Sequence, residues 1–130
     1  MNTRIKGSAG ENYTCCYLER LGYDILARNW HCRYGEVDII AAKGDELCFV
    51  EVKTRREGSM VSGEAAVGKA KQRKIIVTAL SYIKSNRAEQ LQPRFDVCVV
   101  TTGRDGAVTG CELLEAAFDG SAYANGRNGY

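Results

Sequence analysis

The stretch "CFVEVKT", residues 48 to 54, constrains the fold of this chain more than any other. It is apolar enough to be an inner strand, yet Glu51 and Lys53 sit in its middle. Charges at such a place cost stability unless they are paired, liganded or used. Side chains alternate along a strand, so Phe49, Glu51 and Lys53 share one face while Cys48, Val50 and Val52 share the other. The sheet that accepts this strand must therefore have a use for a carboxylate and an ammonium on one side.

The surrounding pattern supplies the sheet. "SAGENYTCCYLERLG" reads as a first helix, with Ser8 and Glu11 spaced as a capping box, Gly22 as its C-terminal stop, and positions 11, 14, 15, 18 and 21 on one face. "YDILARNWHC", "EVDIIAAK" and "LCFVEVKT" read as three strands, the last two joined by the turn residues Gly44 and Asp45. Together they are expected to form an antiparallel meander. "REGSMVSGEAAVG" is a glycine-rich loop, and "KAKQRKIIVTALSYIKSN" is the clearest helix. Its positions 69, 72, 76, 80 and 83 face one way, and 71, 74, 78, 81 and 85 form a polar face. After Pro93, "RFDVCVVTT" reads as a buried strand and "AVTGCELLE" as a fifth, edge strand. The order is α/β, and the second helix permits a parallel crossover between the third and fourth strands. One domain over residues 1–118 is expected, with a flexible polar tail over 119–130.

On the second strand Glu36, Asp38 and Ile40 are expected to share a face. Residues two apart on a strand are about 6.6 Å apart and neighbouring strands about 4.8 Å, so pairing across the Gly44–Asp45 turn would make Asp38 and Glu51 near neighbours. Two converging carboxylates repel unless a cation lies between them. Mg²⁺ suits such a pair, since it takes oxygen ligands and commonly uses one or two carboxylates with water and phosphate. Phosphodiester hydrolysis needs an activated water and relief of charge growing on phosphate. The cation can serve both needs, and Lys53 can orient or deprotonate the water or stabilise the transition state. The plain alternative is a cross-strand salt bridge with no chemistry attached.

Net charge is only +2, but it is uneven. From Lys53 to Lys74 seven basic residues face two acidic ones, leaving that segment +5 and the rest of the chain −3. A basic patch on a nearly neutral protein points to a polyanion partner. The six cysteines show no C-x-x-C, and His31 is the single histidine, so reduced thiols are expected rather than zinc or a disulfide framework. No apolar run is long enough to span a bilayer, and the first ten residues lack a signal-peptide core, which reads as cytoplasmic.

Asp38 followed by Glu51-Val52-Lys53 resembles the PD-(D/E)XK nuclease signature. "GEN" at 10–12, "RNW" at 28–30, "GEVDIIA" at 35–41, "FVEVKTR" at 49–55, "KQRK" at 71–74 and "RFDV" at 94–97 resemble the YraN-like family of that superfamily. The resemblance runs from about Lys6 to Phe118. It implies a restriction-endonuclease-like α-β-β-β-α-β core, similar to that of archaeal Holliday-junction resolvases. It implies a metal site on Asp38, Glu51 and the main-chain carbonyl of Val52, with Lys53 beside it. The metal would be Mg²⁺, with Mn²⁺ as a substitute. Val37 stands where the superfamily's name has proline, a loosely kept position.

The implied activity is DNA endonuclease, on branched or single-stranded forms, with a homodimer favoured if both strands are cut. The alternative is a DNA-binding accessory module of the same fold with little cleavage of its own. Glu11 has two readings, a helix cap or, as in related nucleases, a metal ligand. Gln72 is a polar group on an apolar helix face and so needs a partner; the resemblance puts it at the border of the active site. Glu36 is expected to support the site. Arg55, Lys71 and Lys74 are candidates for phosphate contacts. Trp30 and Tyr34 could stack on an unpaired base, with core packing the better reading for Trp30. Arg94 and Asp96 suggest a structural ion pair.

Overall fold

The computed structural model describes residues 8–59 and 67–120, Ser8 by its backbone alone. Its elements are α1 (Ser8–Arg20), β1 (Asp24–Cys32), β2 (Gly35–Lys43), β3 (Glu46–Arg56), α2 (Lys69–Ser85), β4 (Gln92–Thr102) and β5 (Val108–Phe118). The five strands form one sheet in the order β1-β2-β3-β4-β5. The β3–β4 pair is parallel and the other three are antiparallel. This is the α/β, restriction-endonuclease-like arrangement expected from the sequence. Among the described residues, no helix is long and apolar enough to cross a membrane. The tail expected beyond Phe118 lies outside the described residues from position 121 onward, as does the middle of the loop before α2.

Each sheet face carries its own core. Phe49, Val97 and Val99 pack under α2 with Ile75, Ile76, Ala79, Tyr82 and Ile83. Cys48, Val50, Cys98 and Val100 pack under α1 with Cys15 and Leu18. Strands buried on both sides need apolar residues at successive positions, which is why β3 and β4 read as apolar runs. Each large side chain buried in this way contributes about 1.5–3 kcal/mol. Gly10 brings α1 close to the sheet, since a Cβ there would stand 3.2 Å from Thr54 Oγ1. The six cysteines are free thiols.

α1 stops as expected. Gly22 has φ +97°, its N–H donates to the Glu19 carbonyl, and the Tyr23 N–H donates to the Leu18 carbonyl. Leu21 was expected on the buried face but is 39% exposed, because the helix has already ended at Arg20. Pro93 does not precede the fourth strand but lies inside β4. Near the start of a strand its missing N–H costs little. β5 runs three residues further than expected, to Phe118, through an irregular register opposite Phe95–Val97.

Thr78 corrects the polar face assigned to α2. It is fully buried, and its hydroxyl has no hydrogen-bond partner among the described residues. The cause is the close approach of β2. A Cβ at Gly35 would fall 2.9 Å from Thr78 Oγ1 and 3.6 Å from Lys74 Cβ, so the start of β2 rests directly on this side of the helix.

Candidate active site

The sheet forks where the charged residues lie. Pairing between β2 and β3 stops at Ile39–Val50. The β1–β2 ladder continues to Cys32–Gly35, and the β3–β4 ladder continues to Arg56–Thr102. Asp38 and Glu51 are the first residues past the split, one on each prong. The Asp38 carboxylate spans the gap: the Val52 N–H donates to its Oδ2 at 2.8 Å. A side chain has thus replaced the ladder bond that the parting strand withdrew. In an extended strand the N–H and C=O of one residue point to the same side, so the Val52 carbonyl also faces the fork.

A change of facing in β1 and β2 aims Asp38 in this way. Val37 and Ile40 both pack into the α2-side core although they are three residues apart. Across the ladder Ala27 and Trp30, also three apart, pack against that same core. The register is unchanged through this point, so both strands turn over together at Asn29 and Asp38. Asn29 adopts φ +50°, a left-handed conformation that asparagine tolerates better than most residues. The expectation that Glu36, Asp38 and Ile40 share a face is corrected by this: Glu36, next to inward-facing Val37, is exposed.

Glu51 and Lys53 are placed as the alternation predicts. They stand opposite Val97 and Val99 of β4, both in the α2-side core. Glu51 is only 5% exposed. Its Oε2 lies 3.5 Å from Lys53 Nζ and 3.3 Å from Lys71 Nζ on the first turn of α2. Burial and then the nearby Glu51 carboxylate push the Asp38 carboxyl up to about 7, with Glu11 adding to the rise. The Val52 N–H and the Lys71 ammonium act against it without cancelling it.

Two carboxylates brought together at a half-buried site form a donor set suited to a hard divalent cation. Asp38, Glu51 and the Val52 carbonyl provide oxygen donors of the type Mg²⁺ and Mn²⁺ take. Among the described residues, no three His, Cys, Asp or Glu side chains converge into a cage. A two-carboxylate site that leaves positions for water and phosphate remains consistent with these donors.

The remaining predicted residues divide. The cap reading of Glu11 turns on the Ser8 side chain, which lies outside the described residues. Glu11 Oε1 accepts from Asn29 Nδ2 at 3.1 Å and lies 3.5 Å from Arg28 Nη2, which ties α1 to the turnover point of β1. Gln72 donates its side-chain amide to the Val67 carbonyl at 3.0 Å, fastening the entry to α2. Lys71 is an ion-pair partner of Glu51, a role its sequence position did not reveal. Lys74 is exposed beside Gly35, and Arg55 is exposed on the β3 prong. Trp30 packs edge-on against Tyr82 at 5.2 Å, in the core. Arg94 and Asp96 form the expected ion pair at 2.9 Å. Sequence reasoning gave Asn29 no role. Its one local signal was an asparagine, tolerant of left-handed backbone, inside an otherwise regular strand.

Comparison with known proteins agrees with this architecture. Residues 10–100 match the model of a family described as "Uncharacterised protein family UPF0102". A UPF0102 protein of Syntrophus aciditrophicus is 42% identical over 113 residues, covering 87% of each chain. One from Caldicellulosiruptor saccharolyticus is 38% identical over 118 residues, covering 91% of this chain and all of the relative. A Geobacter sulfurreducens relative is 44% identical over 100 residues, covering 77% of this chain and 78% of its own. The matched span runs from the first turn of α1 to near the end of β4 and contains Asp38, Glu51, Val52 and Lys53, so the chain belongs to UPF0102, the YraN-like family of nuclease-fold proteins.

Proposed function

We infer that the protein is a metal-dependent DNA phosphodiesterase whose reaction centre is the fork between β2 and β3. The observation that carries this reading is the meeting of Asp38 and Glu51 at the split, the Asp38 carboxyl raised by burial and then by Glu51. A divalent cation held by Asp38, Glu51 and the Val52 carbonyl would supply charge neutralisation on a phosphate oxygen and a more acidic water. The chain's own groups do the rest. Asp38 is fixed by the Val52 N–H and cannot swing away from the gap. Lys53, on the same face as Glu51, sits where an ammonium can orient a nucleophilic water or meet charge building on the phosphate. Lys71, which pairs with Glu51, would be free to meet a phosphate if a cation replaced it on the carboxylate. Arg55 and Lys74 extend positive charge along the prong and the helix, where backbone phosphates pass.

The test is cleavage of labelled duplex, flap and four-way-junction DNA with Mg²⁺ or Mn²⁺, wild type beside Lys53→Ala. Wild type should cut and the variant should lose at least about a hundredfold, the scale of one electrostatic stabiliser. Equal cutting by both would mark a contaminant and reject the assignment.

A second reading, a DNA-binding module of nuclease fold with little cleavage, is favoured by one observation. Glu51 is already held by two ammonium groups. That reading expects salt-sensitive DNA binding that survives Asp38→Ala, with no cleavage in either metal.

A further inference from the structure

The β1–β2 hairpin ends in Arg33 and Tyr34, on the prong that carries Asp38. Tyr34 is 44% exposed, one of four large hydrophobic side chains so exposed among the described residues. Its phenol is held from one side: Arg33 Nη2 donates to the hydroxyl at 2.9 Å, and the guanidinium carbon lies 5.0 Å from the ring centroid. The tip is also seated. Gly35 packs on α2 against Thr78 and the stem of Lys74, so the tip rests on the helix that also carries Lys71. Lys71 reaches Glu51. Basic side chains therefore stand both at the fork, Lys71, and beside the exposed ring, Arg33.

We propose that Tyr34, positioned by Arg33, is a stacking platform for an unpaired nucleotide of the DNA strand that enters the fork. Such a site would make flaps, branches and single strands the preferred substrate class. Tyr34 and Asp38 are four residue steps apart along the chain, about 13 Å at about 3.3 Å per step. That reach places the stacked base a few nucleotides from the reacting phosphate. A tyrosine ring gains from a base only where the face of that base is open. In a paired duplex the bases stack on one another, and a hairpin tip meets the phosphate backbone, for which Arg33 and Lys74 would suffice without an aromatic. The ring at the tip is thus the part of the surface that a duplex would not use.

This inference rests on the DNA-processing reading above, and the experiment separates the two. Binding is measured by fluorescence anisotropy at fixed low salt with a single-stranded oligonucleotide, the blunt duplex of the same sequence, and that duplex carrying an unpaired flap. Melting temperatures confirm that each variant is folded. Tyr34→Ala should weaken binding to the single strand and the flap by about tenfold, the scale of one base–aromatic stack, and binding to the blunt duplex less than about twofold. Tyr34→Phe should keep wild-type affinity on all three. An equal loss on all three DNAs, or no loss on any, would overturn the stacking site while leaving the DNA reading intact. Failure of the wild type to bind any of the three would overturn both.

Discussion

Two aspartates, Asp96 buried and Asp38 half-buried, do the same local job in this sheet and meet opposite electrostatic fates. Asp38 accepts the Val52 N–H where β2 parts from β3. Asp96 accepts the Ala116 N–H at 2.9 Å where β5 departs from regular pairing with β4 and Ala116 turns to φ +50°. In both places a carboxylate repairs a broken ladder. Asp96, fully buried, is clasped by Arg94 through Nε to Oδ1 and Nη2 to Oδ2, each at 2.9 Å. The guanidinium is steadied in turn by Glu46 and by the Tyr23 hydroxyl. Among the described residues no arginine is paired with Asp38. Its neighbours are Glu51 and Glu11, and the ammonium groups of Lys53 and Lys71 are directed at Glu51. A carboxylate that only holds the fold is neutralised on the spot. The one left unbalanced costs stability, which is expected where the balancing charge comes from a ligand.

Breaking the compensated site should have the larger effect. Asp96→Ala takes the bidentate carboxylate from a half-buried guanidinium and the acceptor from the Ala116 N–H together. It should lower stability by about 3–5 kcal/mol, the range for removing one partner of a buried pair, read by urea denaturation. A loss under about 1 kcal/mol would mean that Arg94 is solvated and the contrast is false.

The uncompensated site should respond with the opposite sign. The folded-state value of about 7 for Asp38 lies above the ordinary carboxylate range. The folded protein therefore holds a proton that the unfolded chain has released, and stability falls as pH rises from about 4 to 7. Asp38→Asn keeps an acceptor for the Val52 N–H and removes the charge. It should stabilise by on the order of 2 kcal/mol at pH 8, with the gain shrinking toward pH 4. Mg²⁺ or Mn²⁺ should raise the melting temperature of wild type and not of this variant, by mass action on the folded state. A destabilised Asp38→Asn at pH 8 would show that Asp38 is compensated after all.

Thr78 offers the smallest and finest comparison, a buried polar group that is neither charged nor partnered. Thr78→Val preserves shape and deletes the orphan hydroxyl. It should be neutral or stabilising by about 1 kcal/mol in thermal or urea melts. A loss of similar size would reveal a partner for the hydroxyl.

What could be read beforehand was local. Period-two alternation placed Glu51 and Lys53 on one face, opposite Cys48, Val50 and Val52, and the structure keeps them there. Gly22 marked the end of α1, and the apolar run in β4 marked a strand covered on both sides. Asp38 was identified as the partner of Glu51, but the reason given, a face shared with Glu36 and Ile40, does not hold. The turnover at Asn29 and Asp38 interrupts the alternation, and Asp38 reaches sideways to the backbone of the next strand. Spacing offered Glu11 a cap role or a metal-ligand role and gave no sign of the asparagine eighteen residues away that donates to its carboxylate.

The sequence by itself determined which segments are strands and helices, that α1 stops near Gly22, and which charged residues stand on the face of β3. Those properties follow from repeats of two and 3.6 residues and from glycine's conformational freedom, all contained within a few neighbours. Only the tertiary structure decided where β2 and β3 part, that Lys71 leans on Glu51, that Gly35 presses Thr78 into the core, and that Arg94 goes to Asp96 while Asp38 goes without. Each of these depends on how close two distant segments can come, and packing fixes that distance only after every element is in place.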